Sequence, residues 1–371
     1  MYRRLFFLIG TLTIHFSGFS QLAPIDTKAT PATRHLYQQL WKLRQKGIMF
    51  GQQDALAYGL NADKTRWIGE ANRSDVKTVT GDFPAVIGYD LGKIEFDSVN
   101  NLDGVPFSKI RQDIQLTHQR GGLNTISWHL NNPTYPNKTS WDKADSTIAK
   151  IFSDPKALQT YNSWLDKVAV FLASLKDTKG QPIPVLFRPF HEHTGSWFWW
   201  GAGFCSPEQY KKIWRYTVSY LKDTKGLHHL LYAYSTDRFE TEAHYLERYP
   251  GDDVVDLVGF DYYHRDAPKS NDEFKKQLSR MLHTLENIAE KKHKLTAVTE
   301  MGLEQITVDN WWTSIVWDSI KDSHLSYILV WRNGRPDHFY SPYKGHTSAP
   351  DFVKFYRLPQ TLFSKQVKAL K

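Results

Sequence analysis

The sequence predicts an α/β protein, a single (β/α)8 TIM barrel with long loops at the C-terminal face. Three observations lead there. Eight short apolar runs recur along the chain, continuous rather than alternating, as expected for parallel strands covered on their outer face. Amphipathic stretches of helical length separate them. No Ser/Gly/Pro linker, low-complexity tract or repeat divides the 371 residues. A prior of roughly 100–200 residues per domain suggests two or three units, but α/β barrels routinely reach about 250 or more as one.

The chain opens on a segment that does not belong to the fold. Arg3 and Arg4 precede an apolar run from Leu5 to Ile14, followed by the small-residue stretch Ser17-Gly18-Phe19-Ser20. That is the order of a secretory signal peptide, with the cut expected between Ser20 and Gln21. The run is too short for the roughly 20 residues of a membrane span. The expected organisation is therefore a signal peptide at 1–20 and one barrel domain at 21–371, exported to the periplasm or secreted, with no membrane span.

After a short lead from Ala23 to Thr33, the expected strands are Ile48–Gln53, Ala85–Leu91, Leu123–Leu130, Val185–Glu192, Leu230–Ser235, Val255–Tyr263, Leu295–Gly302 and Tyr327–Asn333. Helices are clearest at Ser108–Arg120, Pro155–Lys176, Pro207–Lys225, Asn271–Lys291 and Asp309–Asp322. Pro155 and Pro207 stand where a first-turn proline is tolerated, each after an Asp or Ser able to cap. The segment Ser235–Pro250 is the weakest unit, polar enough to hold only a short helix.

Composition narrows the chemistry. Hydrophobic residues make 41% and charged residues 23%, which excludes a disordered or fibrous chain. One cysteine, Cys205, excludes an internal disulfide and a cysteine-based zinc cage. The formal charge of +8 falls to +6 without the two arginines of the leader, too diffuse to name a charged partner. No nucleic-acid module, Gly-x-Gly-x-x-Gly loop after a strand, or Walker A motif is present. Aromatics are the outlier, with 13 Trp, 19 Tyr and 21 Phe.

Barrels of this kind do chemistry at the C-terminal ends of their strands. The fourth run ends in Arg188-Pro189-Phe190-His191-Glu192 and the seventh in Thr299-Glu300. Glu192 and Glu300 thus form a carboxylate pair delivered to one mouth from opposite sides. Glycoside hydrolysis needs such a pair, one protonated and one ionised. Glu192 stands beside Trp197-Phe198-Trp199-Trp200, and burial against aromatics raises a carboxyl pKa, so it is the better candidate for the acid.

Four consecutive large aromatics suit neither a helix stripe nor a strand alternation. A tryptophan face fits the C–H face of a sugar ring, and that role is expected for Trp197 and Trp331. For Phe198 and Trp200 a hydrophobic plug at the barrel top is an equal reading. His191-Glu192-His193 lacks the spacing of the helical zinc motif, and on a strand its histidines share one face without a third ligand. No metal site is expected; His191 and His129 are read as hydrogen-bonding residues near the site, with buried core histidines as the alternative.

The segments Phe50-Gly51-Gln52-Gln53-Asp54, Ser127-Trp128-His129, Arg188-Pro189-Phe190-His191-Glu192, Gly195-Ser196-Trp197-Phe198-Trp199-Trp200-Gly201, Thr299-Glu300 and Trp331-Arg332 resemble glycoside hydrolase family 26, the β-mannanase family of the 4/7 barrel clan. The resemblance implies Glu192 as acid/base and Glu300 as nucleophile, with His191 and Trp197 bordering the catalytic subsite. It implies Tyr263 as the tyrosine orienting the nucleophile, His129 as the third-strand site histidine, and Trp331 and Arg332 as the pair lining the glycone side. One departure is visible. The family often reads Gly-Phe-Asp-Asp-Tyr, where this chain has Gly259-Phe260-Asp261-Tyr262-Tyr263.

The function so implied is retaining hydrolysis of β-1,4-mannosidic bonds without a cofactor, either by internal cutting or by release of mannobiose. A mixed-linkage β-glucanase or β-1,3-xylanase of the same family is the alternative, as is a catalytically silent carbohydrate-binding barrel. A binding protein needs no acid and nucleophile. A metal-dependent deacetylase or phosphodiesterase lacks a ligand set here.

Overall fold

The structure is a computed structural model that describes residues 22–135, 139–142 and 144–370. The signal peptide expected at 1–20 lies outside the described residues. Eight parallel strands follow one another around a closed barrel: β1 (Ile48–Gln53), β2 (Val86–Asp90), β3 (Leu123–Trp128), β4 (Val185–Pro189), β5 (Leu230–Thr236), β6 (Leu257–His264), β7 (Leu295–Leu303) and β8 (Tyr327–Val330). Each pairs with the next in sequence, and β8 closes on β1 with Leu329 opposite Gly51. Helices stand between the strands, so the expected (β/α)8 barrel is the architecture found.

The lower barrel is filled by apolar side chains from every strand: Met49, Val86, Leu123, Leu186, Leu231, Leu257, Leu295 and Tyr327. The helix α1 (Pro31–Leu43) adds Leu36, Tyr37, Leu40 and Leu43 to the same cluster and closes the N-terminal end. Its start is set locally, with Pro31 in the first turn and the Thr30 side chain accepting from the Thr33 N–H. Burying a leucine such as Leu40 contributes about 1.5–3 kcal/mol. The lead expected at Ala23–Thr33 overlaps only the first turn of this helix, and no helix was expected at Pro31–Leu43.

Side chains alternate along a strand, so positions two or four residues beyond this apolar layer face inward again. There the interior turns polar: Gln53, Asp90, Ser127, Arg188, Ser235 and Asp261 are all buried. On β7 the same count from Leu295 reaches Ala297 and Thr299, and sends Glu300 outward. A bulge changes that. Phe260 pairs with Val298, but the next residue, Asp261, pairs with Glu300. One extra residue in β7 brings Glu300 into the inward register, a common use of bulges beside active sites.

The fourth strand departs from expectation. It ends at Pro189, and Phe190 and Glu192 take left-handed backbone angles, φ 51° and 53°. Such angles are strained for residues with side chains and cluster at functional sites. Residues 191–193 are therefore a turn, and His191 and His193 do not share a strand face as expected. The eighth strand likewise stops at Val330, before Trp331. The expected helix Asp309–Asp322 consists of a π-helical Trp312–Trp317 and a short α-turn Asp318–Ile320. Ser235–Pro250 holds only the short helix Glu242–Leu246, as anticipated. A hairpin of Tyr58–Leu60 and Arg66–Ile68 was not anticipated.

Candidate active site

A cavity of about 840 Å³ opens at the C-terminal ends of the strands. All eight residues singled out from the sequence line it: His129, His191, Glu192, Trp197, Tyr263, Glu300, Trp331 and Arg332. They come from β3, β4, β6, β7 and β8 or the residues just after them, which the closed barrel brings to one rim.

Glu300 is buried, at 4% exposure. The Arg188 guanidinium donates to its Oε1, and the Tyr263 hydroxyl donates to its Oε2 at 2.8 Å. Arg188 also donates to Asp261 at 2.9 Å, and Asp261 accepts from Thr299 Oγ1 at 2.6 Å. Burial pulls the guanidinium down, but Asp261 and Glu300 outweigh it and hold Arg188 protonated. Burial and the adjacent Glu300 push the Tyr263 phenol far up, so it stays a donor.

Glu192 stands in a different field. Its Oε2 accepts from the Trp197 indole at 2.7 Å. Burial, with Asp261, Glu300 and Asp237 nearby, pushes its pKa well above the usual carboxylate range. One carboxyl is thus held protonated and the other surrounded by donors, the division of labour that acid and nucleophile require. An oxygen from each of Glu192, Asp261 and Glu300 lies within 4.8 Å of the other two. Such a trio has the donor type for a cation, yet Arg188 already spans Asp261 and Glu300.

His129 Nδ1 lies 2.7 Å from Asp90 Oδ2, and its Nε2 lies 3.1 Å from His191 Nε2. Burial pulls the His129 imidazole down, but Asp90, Glu300 and Asp103 outweigh it and hold its pKa above the ordinary value. Burial and then Arg188 push His191 well below. His193 points elsewhere, packed between Tyr210 and Tyr234 at 4.2 and 4.7 Å. The His-Glu-His segment therefore does not converge on one point.

Of the aromatic run, only Trp197 is half-exposed. Trp199 and Trp200 are fully buried, their indoles donating to Leu130 O at 3.1 Å and His191 O at 2.8 Å. Phe198 stacks on Trp200 at 4.4 Å and also touches the cavity, so it serves both readings. At the other end Arg332 pairs with Asp103 at 2.9 Å. Tyr262, at the departure noted above, is half-buried, stacks on Phe274 at 5.0 Å, and also lines the cavity.

Sequence reasoning left four polar residues without a role: Arg188, Asp90, Asp103 and Asp261. Arg188 and Asp261 stood in quoted segments, and Asp90 closes the second apolar run, a signal of the same kind as Glu300. Asp103 carries no signal, because a loop brings it to Arg332.

Residues 25–324 match the family described as glycosyl hydrolase family 26. A mannan endo-1,4-β-mannosidase of Bifidobacterium adolescentis is 32% identical over 356 residues, covering 89% of this chain and 34% of that protein. The chain thus spans about a third of that relative's length. Among solved structures, a β-mannanase of this family from Bacteroides ovatus is 45% identical with a TM-score of 0.86, covering 91% of this chain and 96% of that one. The catalytic domain of an endo-β-1,4-mannanase from Bacillus sp. JAMB-750 is 30% identical with a TM-score of 0.84, covering 93% and 94%.

Proposed function

The chain belongs to glycosyl hydrolase family 26, and from that premise we propose that it hydrolyses β-1,4-mannosidic linkages in mannan, galactomannan or manno-oligosaccharides, with retention of configuration. The substrate class follows the relatives, which are described as mannanases or mannan endo-1,4-β-mannosidases. The chemistry is carried by one observation: Glu192 and Glu300 offer carboxylate oxygens within 4.8 Å of each other. Retaining enzymes hold their carboxyl groups about 5–5.5 Å apart, whereas inversion needs about 6.5–9.5 Å to admit a water.

Glu300 attacks the anomeric carbon while Glu192 gives its proton to the leaving glycosidic oxygen. The aglycone departs and a glycosyl ester on Glu300 remains. Glu192, now ionised, takes a proton from water, whose oxygen displaces Glu300 and regenerates both groups. Arg188 and Tyr263 hold the nucleophile in place by donating to its two oxygens. Trp331 and Arg332 bind the glycone side, Trp197, His191 and His129 the catalytic subsite. No metal or organic cofactor enters these steps.

Proton NMR during the first turnovers on linear mannan tests the reading. The new reducing end is expected to appear first as the β-anomer; the α-anomer first overturns retention. Faster turnover of mixed-linkage glucan or β-1,3-xylan than of mannan overturns the substrate class. A rapid fall in viscosity marks internal cutting, and mannobiose from the outset marks an exo mode.

Export and a single catalytic domain at 21–371 belong to the same proposal. N-terminal sequencing of exported protein is expected to begin at Gln21, and protein retained in the cytoplasm with Met1 intact overturns it.

A further inference from the structure

Three consecutive strand ends contribute one chain of contacts: Asp90 from β2, His129 after β3 and His191 after β4. Asp90 is fully buried, and its two oxygens are used unequally. Oδ1 accepts the Gly92 backbone N–H at 2.6 Å. Oδ2 accepts from Ser127 Oγ at 2.7 Å and meets His129 Nδ1 at 2.7 Å, and the His129 backbone N–H lies 3.3 Å from both oxygens. Against the cost of burial, His129, Ser127 and Gly92 hold the Asp90 carboxyl below its usual range, so it is ionised. An ionised acceptor there requires a proton on His129 Nδ1. The 3.1 Å contact between the two Nε2 atoms then needs one proton between them.

We propose that Asp90 is a positioning residue for the reaction: through the Nδ1–H of His129 it sets the proton shared with His191, and so fixes both rings in the wall of the cavity. His191 supplies the reason that this matters. Among the described residues its buried Nδ1 has no hydrogen-bond partner, so a tautomer that places a proton there strands a donor. While His129 is neutral, Asp90 makes the other arrangement available, with His191 donating through Nε2 to His129; protonation of His129 reverses that bond and moves the His191 proton to Nδ1.

Asp90→Asn separates this role from simple packing. The Gly92 N–H needs an acceptor, which pins the amide oxygen at Oδ1 and turns the NH₂ toward His129 Nδ1. Ser127 adapts, since its hydroxyl already reaches Tyr89 O at 3.2 Å. His129 must then accept at Nδ1 and carry its proton on Nε2, which drives the His191 proton onto the stranded Nδ1. An isosteric change thus reverses both tautomers. From the surrounding elements Asp90, Asp103 and Glu300 favour the imidazolium of His129, and His191 meets it across the shared proton. Loss of the first of these charges lowers the pH at which His129 titrates.

The bearing on turnover rests on the function proposed above; the bearing on the histidines does not. ¹⁵N-histidine NMR of the whole protein is the direct test. In the wild type His129 Nδ1 is expected to carry a proton throughout the titration, and in D90N at neutral pH to carry none. On linear mannan, kcat of D90N is expected to fall about 10–100-fold, with KM within about threefold, because the subsite it shapes acts on the transition state. Ser127→Ala removes the hydroxyl contact to Oδ2, leaves the His129 backbone N–H at 3.3 Å, and is expected to leave the His129 signal unchanged and kcat within about threefold. A protonated Nδ1 in D90N, wild-type kcat in D90N, or an equal loss in S127A overturns the proposal. If D90N does not fold, the wild-type spectrum decides: a bare Nδ1 on His129 at neutral pH overturns it. A wild type that cleaves no mannan sinks the functional reading alone, since the spectra still judge the relay.

Discussion

Trp197 donates its indole N–H to Glu192 Oε2 at 2.7 Å, across a turn of residues that leaves the strand at Pro189. This donor opposes the burial and neighbouring acids that raise Glu192. Trp197→Phe keeps the ring and removes the N–H. The protonated form of Glu192 is the active acid, so its pKa appears as the alkaline limb of kcat/KM. Loss of a bond to the carboxylate form raises that pKa, and the limb is expected to move to higher pH by about half to one unit. A pH profile of W197F against the wild type reads the shift, and a limb moving the other way refutes the assignment.

Tyr263 and Glu300 are both lining residues, but only Glu300 is expected to be indispensable. Tyr263→Phe removes one of two donors to the nucleophile while Arg188 remains. The expected loss in kcat is about 10–100-fold with little change in KM, as for a single donor acting on transition-state charge. Glu300→Ala is expected to lose at least about 10⁴-fold. Steady-state kinetics of the pair compare the two directly; equal losses would deny Glu300 its separate role.

Arg188 spans two buried carboxylates, and its removal leaves both without a cation. Arg188→Met is expected to cost about 3–5 kcal/mol at neutral pH, measured by urea unfolding. The sign of its pH dependence follows from linkage. Burial already raises the Asp261 carboxyl despite Arg188, and without the guanidinium it binds a proton still more readily folded than unfolded. Protonation therefore favours the folded form, and the deficit is expected to shrink as pH falls from about 7 to about 5. A deficit that grows on acidification contradicts the ion-pair account.

Asn333 links segments far apart in sequence. Its amide donates to Asp75 at 2.7 Å and accepts from the backbone of Tyr340 at 2.9 Å and Ser341 at 3.0 Å. Asp75 also holds the hairpin, through Leu60 N at 2.9 Å and the Trp67 indole at 2.7 Å. Asn333→Ala orphans several buried groups at once, with an expected cost of about 3 kcal/mol in urea unfolding. Because Trp331 and Arg332 immediately precede it, KM for manno-oligosaccharides is expected to rise more than kcat falls. A stable variant with unchanged KM would show that the link does not position the glycone side.

Much of the barrel was legible because parallel strands buried on both faces must be continuously apolar, and Ile48–Gln53 or Leu295–Gly302 read that way without any partner in view. The acids at strand ends were legible for the same reason, since a charge closing an apolar run marks the mouth. Helix α1 was not, because Pro24 and Pro31 made its approach resemble a loop. The hairpin and Asp75 were not, because their stability comes from Asn333 on the far side of the chain.

The sequence by itself determined the strand order, the carboxylate pair and the aromatic surplus around it. Which way those groups face was decided only by the tertiary structure. The period-two rule alone points Glu300 at the helices; the bulge against β6 turns it inward beside Asp261. The left-handed turn at Phe190 and Glu192 sends His191 to His129 and His193 to the tyrosines. Local pattern determines what can be buried, whereas register, bulges and the closure of β8 on β1 determine which buried groups meet.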